Sequence, residues 1–329
     1  MTMALFTRDL RVHDNPVLTA AHRGGDAVVP VFVLDEAILS SDYVTPNKAA
    51  FLVDALTDLD DELRRRGGRL IVRRGQFVDE VLRVVDELSI TDVHIAADVS
   101  AYSQRRERRL RRALAGHGCD LHVHAGSITV AEPGSIVPSG GDHFTVFTPY
   151  YRRWLATRGR KPLRAPTTLT VPHSRGEPIP APASCAQGRL AAAGHGWEST
   201  GRRLLSRWLY TGVDRYDSRH DDLAADATSR LSPYLHFGCL SPPKSRTGQR
   251  SPARDVNPLS ASWPGVTSII KSSPRGRRRP APTTEPTTTA GTTMRAGWTP
   301  GAMDAPAIPS STPGCGSWLP KAGCTTALV

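Results

Sequence analysis

The first 125 residues alternate short runs of β-branched residues with amphipathic stretches. The runs are typical of buried strands, and the stretches have the apolar spacing of helices. This alternation predicts a doubly wound α/β sheet of five parallel strands, because parallel neighbours need a helical crossover between them. The predicted strands are Ala4–Phe6, Ala27–Leu34, Leu70–Arg73, Val93–Ala96 and Leu121–His124, and the predicted helices lie around residues 51–63, 78–85 and 102–114.

An open sheet of this kind binds ligands beyond the carboxyl ends of its strands. We therefore expect a ligand near residues 8–14, near Asp35 or near residues 98–106. No strand is followed by GxGxxG or GxxxxGK[ST], so the sequence does not favour a dinucleotide-binding or P-loop enzyme. Four charged residues of the first segment either form an ion-paired turn or contact a ligand, and both interpretations stay open: Arg8, Asp9, Arg11 and Asp14.

The regular pattern changes after the α/β domain, which we assign to residues 1–125. Residues 126–197 are rich in Pro, Gly and Ser and are interpreted as a linker, with one anchored aromatic segment at 144–155. Helical spacing resumes in residues 198–242 and stops after Ser241.

Residues 243–329 have an unusual composition. The chain of 329 residues has a formal charge of +11, and this tail alone has eleven Lys/Arg against three Asp/Glu, a net +8 that leaves +3 for residues 1–242. The tail also has 13 of the 27 prolines and a Thr-rich run. Such a composition cannot bury enough apolar surface to offset chain entropy, so we expect a disordered tail.

The five cysteines are scattered and form no CxxC pair, and the histidines have no ligand spacing. The sequence therefore predicts no metal site, and His122 and His124 are expected to be ordinary strand residues. The first ten residues contain no long apolar core, and no stretch approaches the roughly 18 apolar residues of a membrane span. We expect a reduced, cytoplasmic protein.

The segment at residues 226–241 places hydroxyl groups and a guanidinium ahead of an apolar run. Thr228, Ser229 and Ser232 could cap a helix whose free N–H groups, together with Arg230, bind a phosphate. A hydroxyl cap with an incidental arginine is the alternative.

Three segments in the same order resemble the photolyase and cryptochrome family. Residues 7–18 (TRDLRVHDNPVL) are similar to its first strand and turn, and residues 146–155 (VFTPYYRRWL) to the end of its antenna domain. Tyr216 followed by TSRLS at residues 228–232 is similar to the start of its all-α FAD domain.

Membership implies that the FAD phosphates are bound by Tyr216, Thr228, Ser229, Arg230, Leu231 and Ser232. Where many relatives have an arginine near the DNA, this chain has His220, with Arg219 beside it. The resemblance also implies a second, light-harvesting chromophore of the deazaflavin or folate type near Asp35, Asp98, Tyr102 and Arg106. A solvated basic helix face at Tyr102 and Arg106, and a helix cap at Asp98, are the alternatives, and we favour the cap.

Back-translation of the tail indicates a change of reading frame. When the codons of residues 263–272 (WPGVTSIIKS) are regrouped by one base, they permit LAWRDFHHQV. The same shift lets residues 299–327 encode DAWRDGRTGYPIVDAGMRQLAPEGWMHNR, and both strings resemble the photolyase FAD domain. We therefore predict a one-base shift between about Ser241 and Asn257, with an out-of-frame tail and the loss of most of the FAD domain.

Three functional hypotheses follow. The resemblance implies a monomeric DNA photolyase, which binds damaged DNA and splits cyclobutane pyrimidine dimers with an electron from light-excited, reduced FAD. The second hypothesis is a cryptochrome-like blue-light photoreceptor. The third is that the chain as written is an inactive α/β fragment.

Overall fold

A computed structural model of the protein describes most of the chain up to Pro242. The described residues are 1–132, 134–157, 159–186, 195–213, 216–219, 222, 224 and 228–242. The predicted disordered tail, residues 243–329, lies outside the described residues.

The sheet has the five predicted parallel strands, in the order β3-β2-β1-β4-β5. Strands β1 and β2 are buried along their whole length, which explains their continuous apolar sequences. The direction of winding reverses between β1 and β4, so the crevice at the carboxyl ends of these two strands is the topological switch point. The strand bounds are β1 Thr2–Phe6, β2 Val28–Asp35, β3 Ile71–Gly75, β4 Asp92–Ala96 and β5 Asp120–His124.

The predicted helices of the α/β domain are present, and two further helices accompany them. The prediction missed α1, in which the Asn15 side chain caps the Leu18 N–H at 3.0 Å and Pro16 begins the first turn. The helices of this part are α1 Pro16–Gly24, α2 Glu36–Leu39, α3 Pro46–Arg64, α4 Phe77–Leu88 and α5 Ala101–Gly116.

The residues after β5 attach to the sheet at several points. The Val28 N–H donates to the Thr170 carbonyl at 2.9 Å, and Val72 forms an antiparallel bridge with Glu177. An aromatic cluster surrounds Tyr150 and Trp154 in α6. The later elements are α6 Phe147–Ala156, a 3₁₀ turn at Pro182–Ser184, α7 Glu198–Thr211, α8 Tyr216–Arg219 and α9 Ser232–His236.

Two apolar layers cover the two faces of the sheet. On one face, α1 and α3 share a buried cluster with residues from after α6, including Leu205, Tyr234 and Leu240. On the other face, α4 and α5 contribute Val81, Leu110 and Leu114. The α7 and α9 residues are thus part of the core of the α/β sheet, and this packing positions the segment that precedes α9.

Candidate functional site

The switch point between β1 and β4 brings together charged residues from distant parts of the chain. Arg8 follows β1, and its Nη1 lies 3.5 Å from Asp98 Oδ2, which follows β4. Arg8 Nε also donates to the His236 carbonyl at 3.1 Å. Two sequence-predicted ligand segments therefore meet here, against the end of α9.

Asp98 supports the start of α5 but does not cap it. The Ser100 side chain is the cap and accepts from the Ser103 N–H. Asp98 accepts from the Ser100 N–H at 2.8 Å and from the Ser103 hydroxyl at 3.1 Å. The prediction that Asp98 caps this helix is wrong, because Ser100 is the residue adjacent to the first helical turn.

Three of the four residues considered for an antenna chromophore form one cluster. The Tyr102 hydroxyl donates to Asp35 Oδ2 at 2.6 Å, and Arg106 Nη1 lies 3.4 Å from the same oxygen. The Arg106 guanidinium also lies 3.9 Å from the centre of the Phe77 ring. Arg106 is therefore a half-buried, paired cation, whereas Asp98 belongs to the separate Arg8 group.

Burial and the bond to Asp35 raise the pKa of Tyr102 to about 12. The Tyr102 phenol is therefore a stable hydrogen-bond donor at neutral pH. Asp35 is 5% exposed and also accepts from the Ala37 N–H at 3.2 Å, so its two oxygens are already bonded. This cluster can orient a polar group of a ligand, but the described residues offer no nucleophile there.

The charged turn after β1 is a buried network. Arg11 is 1% exposed, and its Nη1 and Nη2 donate to the Gly238 carbonyl at 2.8 Å and to the Ser127 carbonyl at 2.7 Å. Arg160 pairs with Asp14, which also accepts from the Leu163 N–H at 2.8 Å. The ion-paired-turn interpretation is thus correct for Asp14, although its partner Arg160 lies far along the chain, whereas Arg11 bonds to backbone carbonyls.

Burial changes the proton affinity of this network. It raises the pKa of Asp9 and lowers the pKa of Arg11, each against the effect of the other's charge. Arg11 Nε has no hydrogen-bond partner among the described residues, and Arg11 borders a cavity of about 120 Å³ together with Glu198, Arg202 and Cys239. A bridging water suits such a small polar space.

The predicted phosphate-binding segment lies at the surface just before α9. Thr228, Arg230 and Ser232 are exposed, Ser229 is half-buried, and Leu231 is buried in the core at 6% exposure. Arg230 has a φ of 52°, in the left-handed region. The predicted hydroxyl cap is wrong: Leu231 occupies the N-cap position without a side-chain bond, and Ser229 Oγ accepts from the Leu231 N–H at 3.4 Å. The first turn of this five-residue helix therefore has no side-chain cap.

Tyr216 packs edge-on against Trp208, with ring centres 5.6 Å apart. Arg219 is exposed at the end of α8. His220, predicted with Arg219 to contact DNA, lies outside the described residues.

Sequence reasoning missed an aromatic and basic group beside Arg8. The Tyr43 hydroxyl lies 3.3 Å from His236 Nε2, and Lys48 Nζ is 3.5 Å from the centre of the Tyr43 ring. Burial and the nearby cations Arg8 and Lys48 lower the pKa of His236 to about 4, so this ring is neutral at pH 7. The available signal was the position of Tyr43 in the connection between β2 and α3, since the connection that follows a parallel strand borders the carboxyl edge of the sheet.

The described residues contain no group of three metal-ligating side chains. In the same residues, Cys119, Cys185 and Cys239 are buried free thiols. A bilayer-spanning helix, long and apolar enough, is also absent from this part of the chain.

Comparison with known proteins gives consistent matches. A family model described as DNA photolyase matches residues 2–169. A deoxyribodipyrimidine photo-lyase of Streptomyces griseus is 51% identical over 243 residues, which cover 73% of this chain and 53% of the relative. The chain spans about half the length of the first curated relatives it matches.

Solved structures share the fold. An archaeal photolyase from Sulfolobus tokodaii, solved with two FAD molecules, matches with a TM-score of 0.65 at 26% identity, over 76% of this chain and 55% of that one. A Synechocystis cryptochrome matches with a TM-score of 0.71 at 23% identity, over 82% of this chain and 59% of that one, which shows similarity of fold.

Proposed function

Because this chain belongs to the DNA photolyase family, we propose that it carries the α/β half of a light-dependent DNA repair flavoenzyme. The reaction of the whole enzyme is the splitting of cyclobutane pyrimidine dimers with an electron from reduced FAD. The single observation that carries the proposal is the identity to the Streptomyces photo-lyase. A damaged base is weakly stacked, so flipping it out of the duplex costs only about a few kcal/mol.

Residues 228–232, at the start of α9, fit the phosphate side of FAD. Thr228, Ser232 and Arg230 expose two hydroxyl groups and a guanidinium within one short segment. These are suitable donors for phosphate oxygens, and the arginine contributes a charge-assisted bond. Leu231 is buried, so only its main chain is available to a ligand.

The described residues do not fit the flavin ring. An isoalloxazine needs an enclosing apolar pocket, since bound cofactors bury most of their surface. The cavity beside Arg11 is too small for a flavin at about 120 Å³, and its lining does not include Tyr216 or residues 228–232. A larger cavity of about 600 Å³ lies elsewhere, between the end of α3 and residues 162–167. We therefore derive no catalytic step through FAD from this chain.

Asp35, Tyr102 and Arg106 are the proposed contacts of the second chromophore. The support is their convergence at the carboxyl end of β2, where the Tyr102 phenol donates to Asp35 and the half-buried Arg106 cation lies beside the same carboxylate. Asp98 is assigned to the same region only by the resemblance, since it bonds to the start of α5.

The chain as written is proposed to be inactive in repair. The support is that residues 263–272 and 299–327 can be back-translated into codons that permit photolyase-like sequence after a one-base shift. The positive charge of residues 243–329 then gives no evidence of DNA binding by that tail.

The proposed partner is damaged DNA, and Arg219 and His220 are its proposed contacts. We further propose that the protein is a cytoplasmic monomer and that it has neither a resident metal ion nor a protein partner.

A dimer-repair assay tests the proposal. The reading frame is restored by one base between the codons of Ser241 and Asn257, and the purified protein is incubated with dimer-containing DNA under blue light and in the dark. Loss of dimers only under blue light supports the photolyase assignment. A restored protein that retains flavin and repairs nothing contradicts it and supports the cryptochrome-like photoreceptor.

A further inference from the structure

Helix α5 has an exposed stripe of arginines. Its 16 residues include six arginines and one acid, Glu107. Four of the arginines lie at positions i, i+3, i+4 and i+7, which places them on one helix face. Leu110 and Leu114, on the opposite face, are fully buried against the sheet. We define the arginine stripe as Arg105, Arg108, Arg109 and Arg112, all exposed.

The other two arginines of α5 have carboxylate partners. Arg106 pairs with Asp35 at 3.4 Å, and Arg111 pairs with Glu107 at 3.1 Å. Within the described part of the chain, no carboxylate forms an ion pair with any arginine of the stripe. The stripe is therefore an uncompensated row of four positive charges.

The four positive charges of the stripe lower the stability of helix α5. Like charges three or four positions apart repel each other, and the stripe has four such pairs. The first turn of α5 contains no acidic residue that would interact with the helix dipole. A polyanion bound along this face would offset that repulsion, because each arginine would be attracted to its negative charges.

The dimensions of the stripe suit a nucleic-acid backbone. Seven residues of helix separate its ends, a length of about 10 Å, and about 10 Å of duplex DNA has roughly six phosphate charges. Guanidinium groups bind phosphate oxygens in a bidentate manner. We propose that the arginine stripe binds the phosphate backbone of duplex DNA, without regard to base sequence or damage.

The stripe is distinct from the proposed FAD and lesion region. Helix α5 packs with α4 on one face of the sheet, whereas Leu231 and Tyr234 pack with α1 and α3 on the other face. Binding there would hold the protein on undamaged DNA while the lesion site stays free. The inference does not rest on flavin binding or on repair.

The first test measures binding of the full chain to an undamaged fluorescent duplex at several salt concentrations. The test variant is R105Q/R108Q/R109Q/R112Q, and the control R275Q/R277Q/R278Q/R279Q removes the same charge from the tail. We expect the test variant to lose about tenfold or more in affinity, and its slope of log K against log salt to become shallower by about 3. The control should keep the wild-type slope within about 1. Equal changes in both variants, or no change in the test variant, would overturn the proposal.

A second measurement uses the wild-type chain, so a folding defect of the variant cannot affect it. Phenylglyoxal modifies accessible arginines, so peptide mapping of the wild-type chain reports their exposure with and without duplex. We expect DNA to protect the stripe more than Arg23, an exposed residue of α1. Equal modification rates with and without DNA would overturn the assignment, as would equally tight binding of the chain to phosphatidylserine vesicles at the same salt.

Discussion

Arg11 Nη1 donates a hydrogen bond of 2.8 Å to the carbonyl oxygen of Gly238, a residue 227 positions later in the chain. The same guanidinium contacts the carbonyls of Ser127 at 2.7 Å and of Asp14 at 3.0 Å. A single buried cation thus joins the turn after β1, the segment after β5 and the segment after α9. Through this junction the α/β sheet positions residues 228–232.

We predict that Arg11→Ala strongly destabilises the fold. The change leaves the buried carbonyls of Ser127 and Gly238 without this donor and removes the positive charge that acts on buried Asp9, which together cost about 3–5 kcal/mol. Urea unfolding measures this loss. The control, Arg23→Ala at an exposed site, should stay within about 0.5 kcal/mol of the wild type. Similar unfolding midpoints for the two variants would contradict the role assigned to Arg11.

Gly238 is expected to tolerate no side chain. Its φ is 72°, and a Cβ there would overlap the Arg8 carbonyl oxygen. Gly238→Ala should therefore cost about 2 kcal/mol or more through backbone strain and overpacking.

Gly116→Ala is the matched control for that change. Gly116 ends α5, and a Cβ at this position would have no heavy atom within 4 Å, so alanine should stabilise the protein by about 0.4–1 kcal/mol. Differential scanning calorimetry of both variants measures the contrast. A Gly238→Ala protein as stable as the wild type would show that the close approach to Arg8 is relaxed at no cost.

The sheet was predictable because its strands are short runs of apolar residues, alternating with polar ones in β5, between amphipathic helices. Helix α1 was missed because the prediction relied on long apolar patterns. The start of this helix depends instead on the Asn15 cap and on Pro16 in the first turn. The helix cap within residues 226–241 was misjudged because Leu231 is buried by tertiary packing. A leucine in the core takes the N-cap position that local preference assigns to a hydroxyl residue.

The candidate site was only partly predictable. Asp35, Tyr102 and Arg106 follow from the rule that ligand-binding residues cluster at the carboxyl ends of parallel strands. The role of Arg11 did not follow, because its acceptors at Ser127 and Gly238 are carbonyls 116 and 227 positions away. Backbone carbonyls exist in every residue, so no sequence pattern marks such partners.

Acidification should weaken the fold through His94. This residue is 7% exposed, and burial, together with the neighbouring His124 and His122, lowers its pKa from 6.5 to about 4, against the opposing effect of Asp92. Between pH 6.5 and about 4, His94 is therefore protonated in the unfolded chain but mostly neutral in the folded protein. The stabilising contribution is complete above pH 6.5 and is lost as the pH falls toward about 4.

Urea unfolding at about pH 7.5 and about pH 5 measures this dependence. His94→Gln should reduce the loss of stability on acidification, whereas the same change at the exposed His22 should leave that loss as in the wild type. An undiminished loss in His94→Gln would assign the pH dependence to other groups.

In the frame-restored protein, Arg230→Ala should weaken FAD binding. Loss of a charge-assisted phosphate contact costs about 1.5–3 kcal/mol, or roughly tenfold to a hundredfold in affinity. Flavin fluorescence titration of the apoprotein gives the dissociation constant. Thr228→Val tests the hydroxyl group of the same segment and should have a smaller effect. Wild-type affinity in Arg230→Ala would indicate that Arg230 makes only local protein contacts.

The visible absorption spectrum of the purified 329-residue chain, recorded together with its intact mass, tests the central claim most directly. Residues 228–232 offer donors for phosphate, and the described residues do not enclose a flavin ring, so affinity for FAD should be low. We predict a protein of the expected mass without a flavin band in the blue region of the spectrum. A band that corresponds to about one equivalent of FAD on a chain of that mass would contradict the account, because the tail would then complete the flavin site.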